Sequence, residues 1–210
     1  MKVGIVDYKM GNLHSVVGAC QFVGLNPLVS SDPQDLLEAD GLILPGVGAF
    51  GEAMHNLRSC GLDKAIKDFV ETGKPFLGIC LGLQLLFDSS EEFGINEGLG
   101  LVAGSVKRFC NKDLDYRAPI PQIGWNSIEV CNNWSKSLLS HNSEDDYFYF
   151  VHSYYASIED TNLITSKTSY ANTKYCSSLS KENIFAAQFH PEKSGLIGLK
   201  IYQNFANQIK

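Results

Sequence analysis

Two short stretches carry the residue types of nucleophilic catalysis. The first is Gly78-Ile79-Cys80-Leu81-Gly82. It follows an apolar run from Pro75 and opens an apolar-periodic run from Leu81 to Phe87. That order reads as strand, tight turn and helix with a cysteine at the apex, a nucleophile elbow with Cys in place of the Ser of G-x-S-x-G. Glycines two before and two after let the strand and helix backbones approach without a Cβ clash. A thiol there sits beside a helix N-terminus, whose exposed N–H groups favour the thiolate. The second stretch is Phe189-His190-Pro191-Glu192-Lys193-Ser194, just past a predicted strand ending at Gln188. In an extended segment residues i and i+2 point the same way, and Pro191 biases His190 toward an extended conformation. Glu192 then accepts from one imidazole nitrogen and leaves the other for Cys80, which sets the tautomer and supports an imidazolium. Beside an imidazolium a thiol ionises well below its free pKa of roughly 8.5.

Each stretch alone has a plainer reading. His-Pro-Glu is a common surface turn, and most free cysteines are simply buried. The catalytic reading gains from their occurring together, in the order nucleophile, histidine, acid, each at a strand end. An oxyanion hole needs two further donors. Leu81 offers its backbone N–H, and the turn Pro45-Gly46-Val47-Gly48 offers that of Val47, its glycines letting a peptide flip toward the site. The same turn is also an ordinary glycine turn.

Positioning these groups is the work of the flanking elements. The first half alternates strands at residues 2–8, 26–30, 41–44 and 76–79 with helices at 13–23, 50–57 and 62–71. Asn12 stands where an N-cap is expected. Continuous apolar strands alternating with helices predict an α/β fold, an open and mostly parallel sheet covered on both faces. In such sheets functional groups gather at the carboxyl ends of strands, so Cys80 and His190 can meet although distant in sequence. Beyond residue 100 strands are expected at 104–109, 126–130, 147–151 and 154–158, with polar connectors at 112–115 and 132–146: an antiparallel or mixed extension. A buried strand at 184–188 and an amphipathic helix at 196–208 close the chain. A single domain over residues 1–210 is the simplest organisation, as 210 residues suffice for one well-buried core but not for two full-size enzymatic domains.

The net charge of −6 argues against nucleic-acid or anionic-membrane binding, since both need a basic face. No apolar run is long enough to span a bilayer, and the N-terminus lacks the pattern of a signal peptide. A cytoplasmic protein is expected. The six cysteines are widely spaced with no C-x-x-C pair, so all six are expected to be reduced. Neither a metal nor a cofactor is expected.

The chain resembles the class I, triad-type glutamine amidotransferases. Pro45-Gly46-Val47-Gly48, Gly78 to Gln84 and Gln188 to Glu192 carry the resemblance. Within that family it is similar to the glutaminase subunits of imidazole glycerol phosphate synthases, through Asp7 to Leu13, Ile123-Gly124-Trp125-Asn126, Tyr149 to Tyr155 and His190 to Ser194. The likeness implies a flavodoxin-like fold and hydrolysis of L-glutamine to glutamate and ammonia through a glutamyl-thioester on Cys80, with His190 relaying protons. It implies that Gly48, Gln84, Glu92, Ser153 and Tyr154 grip glutamine. By their types alone, Gln84 also reads as an exposed helix residue and Glu92 as part of a solvated helix end. The resemblance further implies a partner, a (β/α)8-barrel cyclase subunit that uses the ammonia, in a heterodimer; no second half able to use ammonia follows in this sequence. Asn12, Trp125, Asn126 and Lys193 map to that interface, although Trp125 and Asn126 also read as turn and core residues.

Gln122 and Ile123 stand where the family usually has His-Met, Lys9 where it commonly has Gly, and His14 where it has Arg. All four fall where partner contact is expected. This leaves open a paralogous subunit that supplies ammonia for amidination of a surface sugar. A cysteine hydrolase or peptidase of similar fold would use the elbow and histidine but would not need Gln84 or the His152-Ser153-Tyr154 segment. A silent scaffold would not need Cys80, His190 and Glu192 intact.

Overall fold

The computed structural model describes residues 1–110, 118–132, 134 and 137–209. Its elements run β1 (Lys2–Val6), α1 (Leu13–Phe22), β2 (Asn26–Ser30), α2 (Pro33–Leu37), β3 (Gly41–Leu44), α3 (Phe50–Ser59), α4 (Leu62–Glu71), β4 (Phe76–Ile79) and α5 (Leu81–Gln84). There follow β5 (Phe87–Ser90), β6 (Asn96–Glu97), β7 (Val102–Arg108), β8 (Gln122–Ser127), β9 (Glu129–Val130), β10 (Tyr147–His152), β11 (Tyr154–Ile158), β12 (Ile164–Tyr170), β13 (Thr173–Lys181), β14 (Ile184–Ala187) and α6 (Gly195–Gln208).

The central sheet has the order β2-β1-β3-β4-β14-β13-β12-β9. Strands β2, β1, β3, β4 and β14 are parallel. Strands β13, β12 and β9 extend them antiparallel. A β10-β8 pair and a β11-β7-β5-β6 sheet form the mixed extension. The expected α/β architecture is therefore present. Alternate residues of each parallel strand feed two cores. Leu42, Leu44 and Ala186 join one face with Leu57, Leu62, Ile66 and Phe69 of the helices. Ile43, Leu77, Ile79 and Ala187 join the other with Val16, Cys20, Ile201 and Phe205. The buried stripes at 62, 65, 66 and 69 and at 198, 201, 202 and 205 have the i, i+3, i+4, i+7 spacing of helices with one face on a sheet.

Several expectations are corrected. The apolar run from Leu81 to Phe87 is not one helix: α5 ends at Gln84 and the chain re-extends as β5. Every residue from Leu81 to Phe87 is buried. A run without a polar face carries no periodicity to separate a short helix from a strand. The strand expected at 126–130 splits into β8 and β9, which lie in different sheets. The β12–β13 hairpin was not anticipated, because its buried face is polar. Thr165 Oγ1 and Ser178 Oγ lie 2.6 Å apart and Ser166 Oγ and Ser177 Oγ 2.8 Å apart, satisfying one another inside. Asn12 occupies the α1 cap position, but its Nδ2 donates to Ser15 Oγ at 2.8 Å and it caps no backbone N–H. The connector at 112–115 lies outside the described residues, as do positions 133, 135 and 136 of the other connector.

The elbow depends on one close approach. A Cβ on Gly82 would fall on the backbone carbonyl of Leu44 in β3. Backbone cannot swing aside as a flexible side chain can, so Gly82→Ala should cost about 1–3 kcal/mol, the range typical of overpacking, read as a lower urea midpoint with unchanged slope. A wild-type midpoint would mean that α5 can shift away from β3 freely.

Candidate active site

Parallel register brings the candidate residues to one edge. Leu44 of β3 pairs with Gly78 of β4, and Ile79 of β4 with Ala187 of β14. The Pro45 turn, Cys80 and the Gln188–His190 segment thus leave the sheet side by side at its carboxyl edge. Cys80 turns the chain sharply, with φ 55° and ψ −106°. A non-glycine residue held at such angles stores about 1–3 kcal/mol. Its N–H is fixed on Ala187 O at 2.7 Å, and its carbonyl accepts from Leu83 N at 3.1 Å and Gln84 N at 3.3 Å.

His190 Nδ1 and Glu192 Oε1 are 2.7 Å apart, with both side chains 2% exposed. The extended geometry expected for this segment holds only at His190; Pro191–Lys193 form one turn of 3-10 helix, from which Glu192 reaches back. The turn is tied down at both ends. His190 N donates to Tyr149 O at 2.9 Å, and the Ser194 hydroxyl donates to His190 O at 2.7 Å. The second ring nitrogen, Nε2, is buried without a hydrogen-bond partner among the described residues. Burial by itself opposes an imidazolium here. The charge of Cys80 beside it and then the Glu192 carboxylate outweigh burial and raise the His190 pKa above its ordinary value. Because α5 spans four residues, the imidazole rather than a helix terminus supplies positive charge near the sulfur.

Beside Cys80 lies a cavity of about 400 Å³. Val47, Gly48, Leu81, Gln84, Glu92, Ser153 and Tyr154 all line it, with Lys193, Pro121 and His152. A larger cavity, about 560 Å³, lies at the opposite edge by Asp40, Pro75 and Glu182, away from these groups. Gln84 is not an exposed helix residue. It is buried, and its Nε2 donates to Tyr154 O at 2.9 Å and Gln188 Oε1 at 3.0 Å. Glu92 follows strand β5 rather than ending a helix, and its Oε2 accepts the Phe50 N–H at 2.7 Å. Ser153 is the corner at which the chain leaves β10 for β11 in another sheet.

Two residues of this site were not singled out by sequence. Gln188, fully buried, donates Nε2 to Cys80 Sγ at 3.7 Å and so completes a Gln84–Gln188–Cys80 chain. Its place within the Gln188-Phe189-His190 motif was the available signal. His152 pairs through Nδ1 with Tyr154 O at 2.8 Å and through Nε2 with Tyr175 at 3.2 Å. Nothing local in the sequence announces that Tyr175, on the unanticipated hairpin, faces it.

The residues assigned to a partner surface are placed as follows. Trp125 is 56% exposed on β8 and meets the Tyr149 ring edge-on at 6.0 Å. Lys193 Nζ lies 5.8 Å over that same ring. Ile123, two positions before Trp125, is exposed as well. Asn126 donates to Ser169 O at 2.9 Å, and Asn12 begins α1.

The family described as glutamine amidotransferase class-I matches residues 5–209. The chain belongs to this family. Among curated relatives, it is 46% identical to "Imidazole glycerol phosphate synthase subunit HisH" of Geobacillus sp. (strain WCH70), over 99% of this chain and 97% of the relative. A protein of the same name from Nostoc punctiforme is 45% identical over 99% of this chain and 96% of its own length. Among solved structures, a glutamine amidotransferase superposes with a TM-score of 0.74 at 16% identity, covering 99% of this chain and 98% of its own. PurLQS from Thermotoga maritima gives 0.74 at 20% identity, covering 100% and 99%. At these identities the superpositions establish the amidotransferase fold.

In this amidotransferase His152 is neutral. Burial lowers its pKa to about 4; the Tyr154 carbonyl opposes that, and the charge on His190 adds to it. Unfolded, it would titrate near 6.5. Between these values the unfolded chain binds more protons, so stability rises with pH and falls on acidification. The contribution is roughly 3 kcal/mol at full shift. Unfolding free energies measured from pH 4 to 7 should show a steeper slope for wild type than for His152→Phe. Equal slopes would mean that His152 is charged in the folded state.

Proposed function

We propose that this chain is the glutaminase subunit of an imidazole glycerol phosphate synthase, hydrolysing L-glutamine and passing ammonia to a cyclase subunit in histidine biosynthesis. The observation that carries the reading is the buried Cys80–His190–Glu192 constellation opening on a cavity lined by Gly48, Gln84, Glu92, Ser153 and Tyr154. The full-length relatives at 43–46% identity supply the pathway.

In this reading the Cys80 thiolate attacks the side-chain carbonyl carbon of glutamine, forming a C–S bond. The N–H groups of Val47 and Leu81 receive the developing oxyanion, contacts of a kind typically worth about 2.7–4 kcal/mol in the transition state. Collapse breaks the C–N bond, and the imidazolium of His190 gives its proton to the departing amine, so ammonia leaves. His190, now neutral, takes a proton from water as the water adds to the glutamyl-thioester. Glutamate departs and the thiolate–imidazolium pair returns. Glu192 keeps the ring oriented and stabilises its positive charge. Gln188 donates to the sulfur in the ionised state. Glu92 suits the substrate α-ammonium, and the backbone around Gly48, Ser153 and Tyr154 suits its other polar atoms.

The partner in this reading is a (β/α)8-barrel cyclase, docked over Asn12, Trp125, Asn126 and Lys193. It converts a ribonucleotide-derived imine and ammonia into imidazole glycerol phosphate and an aminoimidazole carboxamide ribotide. A docked partner shelters ammonia from water, which would protonate and dilute it. A reducing compartment protects such a thiolate from oxidation, which suits the cytoplasm. Among the described residues no helix is long and apolar enough to cross a membrane, and all six cysteines are unpaired.

Cys80→Ser in the reconstituted complex should abolish glutamate release, while added ammonia should still support product formation. Near wild-type release would remove Cys80 from the nucleophile's place, and failure of ammonia to rescue would remove the ammonia-supply role. His190→Asn should slow alkylation of Cys80 at pH 7, since the positive charge beside the sulfur is lost. An unchanged rate would mean that His190 does not activate the thiol.

A further inference from the structure

None of the residues joining β1 to α1 lines the cavity, yet this segment encloses the Pro45-Gly46-Val47-Gly48 loop. The Tyr8 hydroxyl, 1% exposed, donates to Pro45 O at 2.7 Å. A Cβ on Gly46 would fall on that hydroxyl and lie 3.0 Å from the Leu81 Cβ. Gly46 is therefore clasped between Tyr8 and the residue that follows Cys80. From the same segment, Met10 Cε stands 2.6 Å from where a Gly48 Cβ would be. Gly48 itself has φ 102°, a conformation that L side chains rarely adopt. Between Tyr8 and Met10, Lys9 turns the chain with φ 66° and its N–H on Asp7 Oδ1 at 2.9 Å. Burial, with the Cys80 charge adding to it, pushes Tyr8 ionisation far above the usual tyrosine range, so the hydroxyl remains a donor.

We propose that Tyr8 is a positioning residue for oxyanion stabilisation, anchoring Pro45 and walling Gly46 so that the Val47 N–H is presented to the reacting carbonyl, with Met10 bracing Gly48. The assignment rests on the glutaminase reading and on Val47 as a donor. A buried tyrosine could serve the core alone, but a core residue has no need of a hydroxyl aimed at the carbonyl of a functional loop. The two roles also differ in kinetics. An oxyanion contact strengthens on going to the tetrahedral state, so disturbing it lowers kcat with little change in KM.

Tyr8→Phe removes one oxygen atom and keeps the ring. In the complex with the cyclase subunit, kcat for glutamine hydrolysis should fall about tenfold or more, with KM within about twofold, since outright loss of such a donor costs about 10²–10³. L-glutamate γ-semialdehyde adds the Cys80 thiolate across its carbonyl to give a thiohemiacetal whose oxygen occupies the hole; its affinity should fall about as far as kcat. Alkylation of Cys80 by iodoacetamide, which displaces iodide and develops no oxyanion, should keep its wild-type rate. Met10→Ala should show the same pattern more weakly. Glutamine hydrolysis by wild type, run alongside, checks the underlying reading separately. A Tyr8→Phe complex with the kcat and aldehyde affinity of an active wild type overturns the role of Tyr8 alone. An equal fall in alkylation and hydrolysis overturns it too, because Tyr8 would then support the site as a whole rather than the loop.

Discussion

The register of three parallel strands governs everything at this site. With Leu44 level with Gly78 and Ile79 level with Ala187, the Pro45 turn, Cys80 and the approach to His190 leave the sheet at one height. A slip of one residue between β4 and β14 would send alternate side chains to the wrong core and part the thiol from the imidazole. The continuous apolar character of these strands makes such a slip costly, because both faces are buried. Core packing thereby fixes functional geometry as well as stability.

Around that edge, strain and polarity are confined to where packing can hold them. Cys80 sits at positive φ because Ala187 O, Gln84 N and the Gly82–Leu44 contact leave its backbone no other course. The 3-10 turn at Pro191–Lys193 aims Glu192 back at His190, and Ser194 pins that turn to Tyr149. The sulfur meets a charged ring and a buried amide, each oriented by a second partner: Glu192 for His190 and Gln84 for Gln188. Each group near the sulfur is thus held by at least one other, which keeps it in place before substrate arrives.

The exposed face around Trp125, Ile123 and Lys193 has a different character. Its aromatic pair, Trp125 and Tyr149, is bound to the catalytic edge through the ring of Tyr149, which stands 6.4 Å from that of His190. Tyr149 O also receives the His190 N–H. Trp125 thus packs against strand β10, the strand that holds the His190 N–H. Ile123 adds an exposed apolar side chain to that surface.

Much of this was written in the sequence, for local reasons. The strands of the parallel half were legible because burial on both faces leaves short, wholly apolar runs between turn residues. Cys80 and the His190–Glu192 pair were legible because glycine spacing and proline announce special backbone at their places. What the sequence could not announce depends on contacts far along the chain. The β12–β13 hairpin stayed hidden because its Ser and Thr side chains satisfy one another inside, so polarity did not mean exposure. The early end of α5 stayed hidden because a segment buried on all sides has no periodicity. Tyr8 has no local signature of its contact with the Pro45 turn, and Gln188 only its place just before His190; both lie near Cys80 because β1, β3, β4 and β14 run side by side. Residue type and spacing alone fix which groups can react and which strands can be buried. Which otherwise ordinary buried residues hold those groups in place depends on the folded arrangement, because it is set by distances between segments remote in the chain.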